Sequence, residues 1–149
     1  MDQTFPKLNF SLLCNKVQVD PATNNFDFLG VFTEIRANSK PAIHTEMVLV
    51  INASVGASGT HSVRIEFLDA AGRSLKSFQK EIQLSVPKTT FNMNLKIINM
   101  KLEEEGSHFI IIVIDGVRFE GPTFKFIIQE TINSTSVYGR EQPAAVRIQ

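Results

Sequence analysis

Three histidines hold most of the chemistry this sequence could offer: His44, His61 and His108. Imidazole titrates near neutral pH, so it can serve as an acid, a base or a zinc ligand. The three are far apart in the chain and lack the short spacing that zinc sites use. His61 and His108 could meet if their strands pair. All three are therefore weak pocket candidates, although each reads first as an ordinary surface or strand-edge residue. Glu66 and Asp115 are the carboxylates one would test for glycoside hydrolysis, which needs two such groups across the scissile bond. Turn and surface roles account for both. Ser58 lies in Gly56-Ala57-Ser58-Gly59, one residue short of the Gly-x-Ser-x-Gly elbow of serine hydrolases. There is no Walker loop and no dinucleotide fingerprint. Cys14 is the only cysteine, which excludes an internal disulfide, and within Leu12-Leu13-Cys14 it reads as a small buried hydrophobe. No catalytic residue, cofactor or metal site is expected.

Whatever positions these side chains is a scaffold of strands. Phe109 to Ile114 is an unbroken apolar run of mostly β-branched residues, which are stiff at χ1 and suit a pleated surface. Asp115-Gly116 then offers the positive-φ positions of a tight hairpin turn. A run apolar on both faces belongs in the middle of a sheet, with a cover expected on each side. Val63, Ile65 and Phe67 alternate with Arg64 and Glu66, the pattern of a half-buried strand. Phe91, Met93, Leu95 and Ile97 alternate in the same way. Leu8 to Val19 reads as one long strand kinked near Asn15, and Asp20 to Asn25 is turn chemistry. Phe26 to Ile35 reads as the returning strand, with Gly30 marking a bulge or a close backbone approach. Glu46 to Val55 is another strand. Ser74 to Val86 is ambiguous between helix and strand, and a strand bulged near Ser77 is preferred. Asn99 to Glu105 could hold a single helical turn. Phe124 to Ile128 is the last strand, and periodicity fails from Thr131 onward.

Eight or nine strands without β–α–β alternation predict an all-β fold, an antiparallel two-sheet β-sandwich of immunoglobulin- or fibronectin-like type. The expected organisation is a sandwich domain over residues 1–130 and a C-terminal extension over 131–149. The chain has 149 residues, 16.6 kDa, and fifteen basic against fifteen acidic side chains. A chain of this length buries about 70% of its unfolded surface, enough for a core without staples. Zero net charge and no basic stripe argue against nucleic acid as a partner. No segment reaches transmembrane length and no continuous apolar leader opens the chain, so a bacterial cytoplasmic protein with no membrane partner is expected. Twelve phenylalanines against one tyrosine and no tryptophan look like core filling and not like a sugar-stacking face.

Laid out in order, the strands resemble a family of uncharacterised bacterial β-sandwich proteins, a domain of unknown function. The residues that carry the resemblance begin with Leu12-Leu13-Cys14, Val17-Gln18-Val19-Asp20 and Phe28 to Ile35. They continue with His61 to Ile65, Asp69-Ala70-Ala71-Gly72, Gly106 to Phe109 and Asp115-Gly116. The similarity spans roughly residues 8 to 128 and implies the sandwich fold, with no activity attached. The function expected is a non-enzymatic binding or assembly domain acting through edge strands or end loops, with a protein partner or self-association as a homo-oligomer. The alternative is a small-ligand module or enzyme with a pocket at one end of the sandwich.

Overall fold

The computed structural model describes residues 5–85 and 89–129, and all regular structure within them is strand. The strands are β1 (Lys7–Cys14), β2 (Lys16–Val19), β3 (Phe26–Leu29), β4 (Glu34–Ala37), β5 (Ala42–Ser54), β6 (Gly59–Leu68), β7 (Ser74–Leu84), β8 (Thr90–Leu102), β9 (Gly106–Ile114), β10 (Val117–Glu120) and β11 (Phe124–Ile128). One sheet has the order β1-β5-β8. The other has the order β4-β11-β9-β6-β7, with β10 also pairing β9. Their inner faces enclose the main core. Leu13, Met47, Leu49 and Ile51 come from the first sheet; Val63, Ile65, Phe67, Ile110, Ile112, Phe124 and Phe126 come from the second.

Two expected strands each divide in two, which raises the count to eleven. The kink at Asn15 separates β1 from β2, and the Asn15 amide donates to the carbonyls of Leu29 and Gly30 at 3.0 and 3.1 Å. Gly30 has φ +69°, and a side chain there would run into the Asn15 amide group. That left-handed glycine ends β3, and the chain then crosses to the second sheet as β4. Between these breaks, β2 and β3 form a separate hairpin. It lies on the outer face of the first sheet, where Val17 and Phe28 pack with Leu12 over a second core of Cys14, Val48 and Val50. Leu8 faces the main core while Leu12 and Cys14 face the second one. The register shift between Leu8 and Phe10 supplies that change of face.

β9 sits mid-sheet, as its composition predicts, between β6 on one edge and β10 and β11 on the other. The expected cover on both faces is corrected by the structure. Ile110, Ile112 and Ile114 are buried, whereas Phe109 is 43% exposed and Ile111 and Val113 are half-buried. The register explains how the outer row tolerates water. Ile111 lies between Glu66 and Glu120, and Val113 between Arg64 and Arg118, so charged side chains stand on either side.

Three further expectations are refined. Ser74 to Leu84 is strand, and its register shift falls at Leu75 instead of Ser77. No helical turn forms at 99–105: β8 continues through Leu102. Asn99, at φ +55°, switches the inward set from Phe91, Met93 and Ile97 to Met100 and Leu102. The sandwich is also not wholly antiparallel, because β11 pairs β4 in parallel. The expected boundary at residue 130 and the extension over 131–149 lie outside the described residues.

Candidate functional site

The three histidines go to three different environments. β6 and β9 do pair, but antiparallel, with Leu68 opposite Phe109 and Val63 opposite Ile114. That register sends His61 to one end of the ladder and His108 to the other.

His61 meets Asp115 instead. Its Nδ1 lies 2.6 Å from Asp115 Oδ2, and its Nε2 lies 2.7 Å from the carbonyl of Ala57. Both neighbours are acceptors, so the protonated ring, which donates from both nitrogens, fits this setting best. The bond to Asp115 raises the His61 pKa; burial opposes it, and Ala57 adds to it. Asp115 also accepts from the Ser62 amide at 2.9 Å, while its own amide donates to the Ser62 carbonyl. Burial pushes the Asp115 carboxyl up, yet the bonds from His61 and Ser62 outweigh it and hold it below the ordinary range. The result is a clasp between the loop at Ala57 and the Asp115-Gly116 turn. Asp115 and Glu66 do not form a catalytic pair. Glu66 stands opposite Ile111, three residues up the ladder from the Val63–Ile114 pair, about 10 Å at strand rise.

His108 is buried at 1% exposure, stacked on Phe124 at 4.9 Å with Phe126 edge-on at 6.3 Å. Its Nδ1 donates to the Gly106 carbonyl at 3.0 Å, and its Nε2 has no partner among the described residues. Burial lowers its pKa, with Gly106, Asp69 and Glu104 opposing. His44 packs against Phe32 at 5.6 Å, and Phe32 meets Phe124 at 6.4 Å, so His44 and His108 are outlying members of one aromatic cluster. His44 Nε2 likewise has no partner among the described residues, and burial lowers its pKa against a bond donated to the Glu46 backbone. Burial thereby favours the neutral form of both rings, His108 fully buried and His44 half-buried. No group of three or more His, Cys, Asp or Glu among the described residues could hold a metal ion. Cys14 is fully buried, and burial raises its thiol pKa.

These directions oppose one another in stability. A raised His61 pKa gives stability that is present below the ordinary imidazole value of about 6.5 and is lost as pH rises through the folded value. The lowered values of His44 and His108 give the reverse: stability present above about 6.5 is lost as pH falls toward their folded values. Between pH 7 and 5 the contribution of His61 thus opposes those of His44 and His108. His61→Asn should make acid destabilisation steeper, read as the urea midpoint between pH 7 and 5. An unchanged slope would show that His61 is not charged in the clasp.

Asp69-Ala70-Ala71-Gly72 has the composition of a turn, and the structure gives Asp69 more. It is 4% exposed and accepts from the amides of Ala71 and Arg73 at 2.9 and 2.8 Å and from the Arg73 guanidinium at 3.3 Å. The Arg73 amide bond, chief among these, holds the carboxyl below its usual range. The sequence Asp-Ala-Ala-Gly was the available signal.

The sheet edges are the remaining feature. β4 and β10 have four residues each, β1 carries the register shift after Leu8, and β7 carries one at Leu75. Short or bulged edges resist unplanned pairing. β8 is different: thirteen residues long, paired with β5 without a register shift, and pairing no other strand among the described residues. The Val55 amide donates to the Thr89 carbonyl at 2.8 Å, which fixes the alternation of the ladder. Even-numbered positions Asn92, Asn94 and Lys96 therefore turn their amides away from β5, toward the open side.

Set aside the β2–β3 hairpin and the edge strand β4, and the first sheet holds the first, second and fifth of the remaining strands while the second sheet holds the others. This is the arrangement of an immunoglobulin-like sandwich without a fourth strand beside β8. The chain belongs to the family of unknown function DUF6941, whose profile matches residues 9–126. Among solved structures it is similar to an immunoglobulin-like protein, PA1606, from Pseudomonas aeruginosa. That match has 16% identity and a TM-score of 0.43 over 83% of this chain and 98% of the other. It is also similar to the CARDB domain of the PF1109 protein from Pyrococcus furiosus, at 12% identity and a TM-score of 0.41 over 85% of this chain and 100% of the other. No curated protein matches the sequence. No helix among the described residues is long and apolar enough to cross a membrane.

Proposed function

We propose that this chain is a non-enzymatic binding or assembly domain that works by receiving an extended chain at the open edge of β8. The observation that carries the reading is the thirteen-residue edge, paired with β5 in unshifted register, with outward amides at Asn92, Asn94 and Lys96. Main-chain bonds along such an edge supply affinity, and alternate side chains supply choice of partner. The bonds that hold His61 and the aromatic packing of His44 and His108 support a structural role for all three. A bacterial, cytoplasmic setting and a protein partner, with no role for nucleic acid or membrane, are part of the same proposal. The balanced charge supports the exclusion of nucleic acid.

Asn94→Pro tests it. Proline there deletes an outward donor and leaves the bonds to β5 intact, so the fold should hold. Peptides selected against the full-length protein from a random library should show period-two patterning and should lose binding to Asn94→Pro. Peptides indifferent to that substitution would remove the edge reading. Turnover of a small substrate that disappears in His44→Ala would restore the enzymatic alternative.

A further inference from the structure

We propose that the open edge of β8 and the uncovered inner face of β7 form one seat, shaped for a strand whose inward-facing residues combine apolar side chains with carboxylates. The proposal rests on the edge reading above and adds the chemistry of the partner.

The seat arises from unequal sheet widths. The first sheet is three strands wide and the second is five along its main path, with β8 touching β7 at the margin. The register assigns the inner face of β7: Lys76, Phe78 and Lys80 lie opposite Phe67, Ile65 and Val63, all of which point into the core, and Ile82 follows in phase. Phe78 meets Phe67 edge-on at 6.2 Å, and both Phe78 and Ile82 touch the main core. Yet Phe78 and Ile82 are only half-buried, Lys76 is half-buried and Lys80 is exposed. On the first sheet, Leu95 of β8 packs against the same core and is half-buried, while Met93 and Ile97 on either side of it are buried.

A strand bonded to the amides of Asn92, Asn94 and Lys96 would lie about 4.8 Å beyond β8, with about 10 Å between the sheets. Every second side chain would then descend onto Phe78, Ile82 and Leu95. Along β7 the facing row reads Lys, Phe, Lys, Ile, so apolar and acidic residues complement it in turn. The lysine stems would cover Phe78 while their ammonium groups reach the carboxylates at the rim. Charge selects among possible occupants. β8 of a second copy brings Lys96 and Lys101, and residues 131–149 bring Arg140 and Arg147 against Glu141. Neither supplies the acidic excess that the seat calls for, so the occupant is a separate protein segment.

The test uses the full-length protein and three nine-residue peptides alternating threonine with inward valine or a variable residue, which is glutamate, serine or lysine. The glutamate peptide should bind about tenfold more tightly than the lysine peptide, from two ion pairs at the seat. It should also slow hydrogen exchange at Asn92, Asn94 and Lys96. The double variant Lys76→Glu with Lys80→Glu should reverse the order. Equal binding of all three peptides with slowed exchange would overturn the acidic preference and leave the edge reading standing. A peptide series that leaves those amides untouched would defeat the edge reading itself. Amides already protected in the free protein would mean that the chain's own C-terminal residues, or at high concentration only a second copy, fill the seat, and either result overturns the proposal.

Discussion

Phe124→Ala should destabilise the protein by about 3–5 kcal/mol. Phe124 is 2% exposed, stacks on His108 at 4.9 Å and meets Phe32 edge-on at 6.4 Å. Its removal costs the transfer energy of the ring and leaves a void beside an imidazole whose Nε2 has no partner among the described residues. Against a typical total of about 5–15 kcal/mol, that could leave the domain barely folded. Phe124→Leu keeps most of the volume and should lose clearly less. The difference between their urea midpoints at constant m-value is the measurement. A loss below about 1 kcal/mol for the alanine variant would mean that the aromatic cluster is not part of the close-packed core.

The second large effect contrasts two adjacent residues. Leu49 and Val50 follow each other in β5 and are 0% and 1% exposed, but they face different cores. Leu49→Ala opens a void in the main core and should cost about 2–5 kcal/mol, with the whole domain responding. Val50→Ala opens one beneath the β2–β3 hairpin and should cost about 2 kcal/mol. Hydrogen exchange should separate them, since the hairpin pairs only with itself among the described residues. Val50→Ala should speed exchange in β2 and β3 well before β6 and β9. Uniform acceleration across all strands would show that the hairpin is no separate unit.

Much of the architecture could be read from residue patterns. Phe109 to Ile114 announces a mid-sheet strand because β-branched runs of that length have few other uses, and Asp115-Gly116 announces its turn: their φ values are +49° and +81°. The two-core plan was not legible. Val48-Leu49-Val50-Ile51 reads as one buried run, and nothing in it says that alternate members meet different partners. The division depends on Gly30 and Asn15 meeting, a contact between residues far apart in the sequence. The change of face at Asn99 was also hidden, since asparagine in a left-handed conformation leaves no mark on the hydrophobic pattern except a lost beat between Ile97 and Met100. His108 reads from the sequence as a surface or strand-edge residue, whereas it is buried at 1% exposure; the partners of the histidines follow from register, and register is set by pairings that local sequence does not state. The seat beside β8 was equally out of reach, because it is made by the difference in width between two sheets.

The parallel pairing of β11 with β4 brings together segments separated by most of the domain, with Lys125 beside Glu34 and Ile128 beside Ala37. A nascent chain leaving the ribosome at about 5–20 residues per second cannot seal this side of the molecule until Phe124 to Ile128 has emerged. Until then, β4 and the inner face it will help to close stay open to whatever else is in the cell. Such an order of events makes the sealing of this side a single late step of folding.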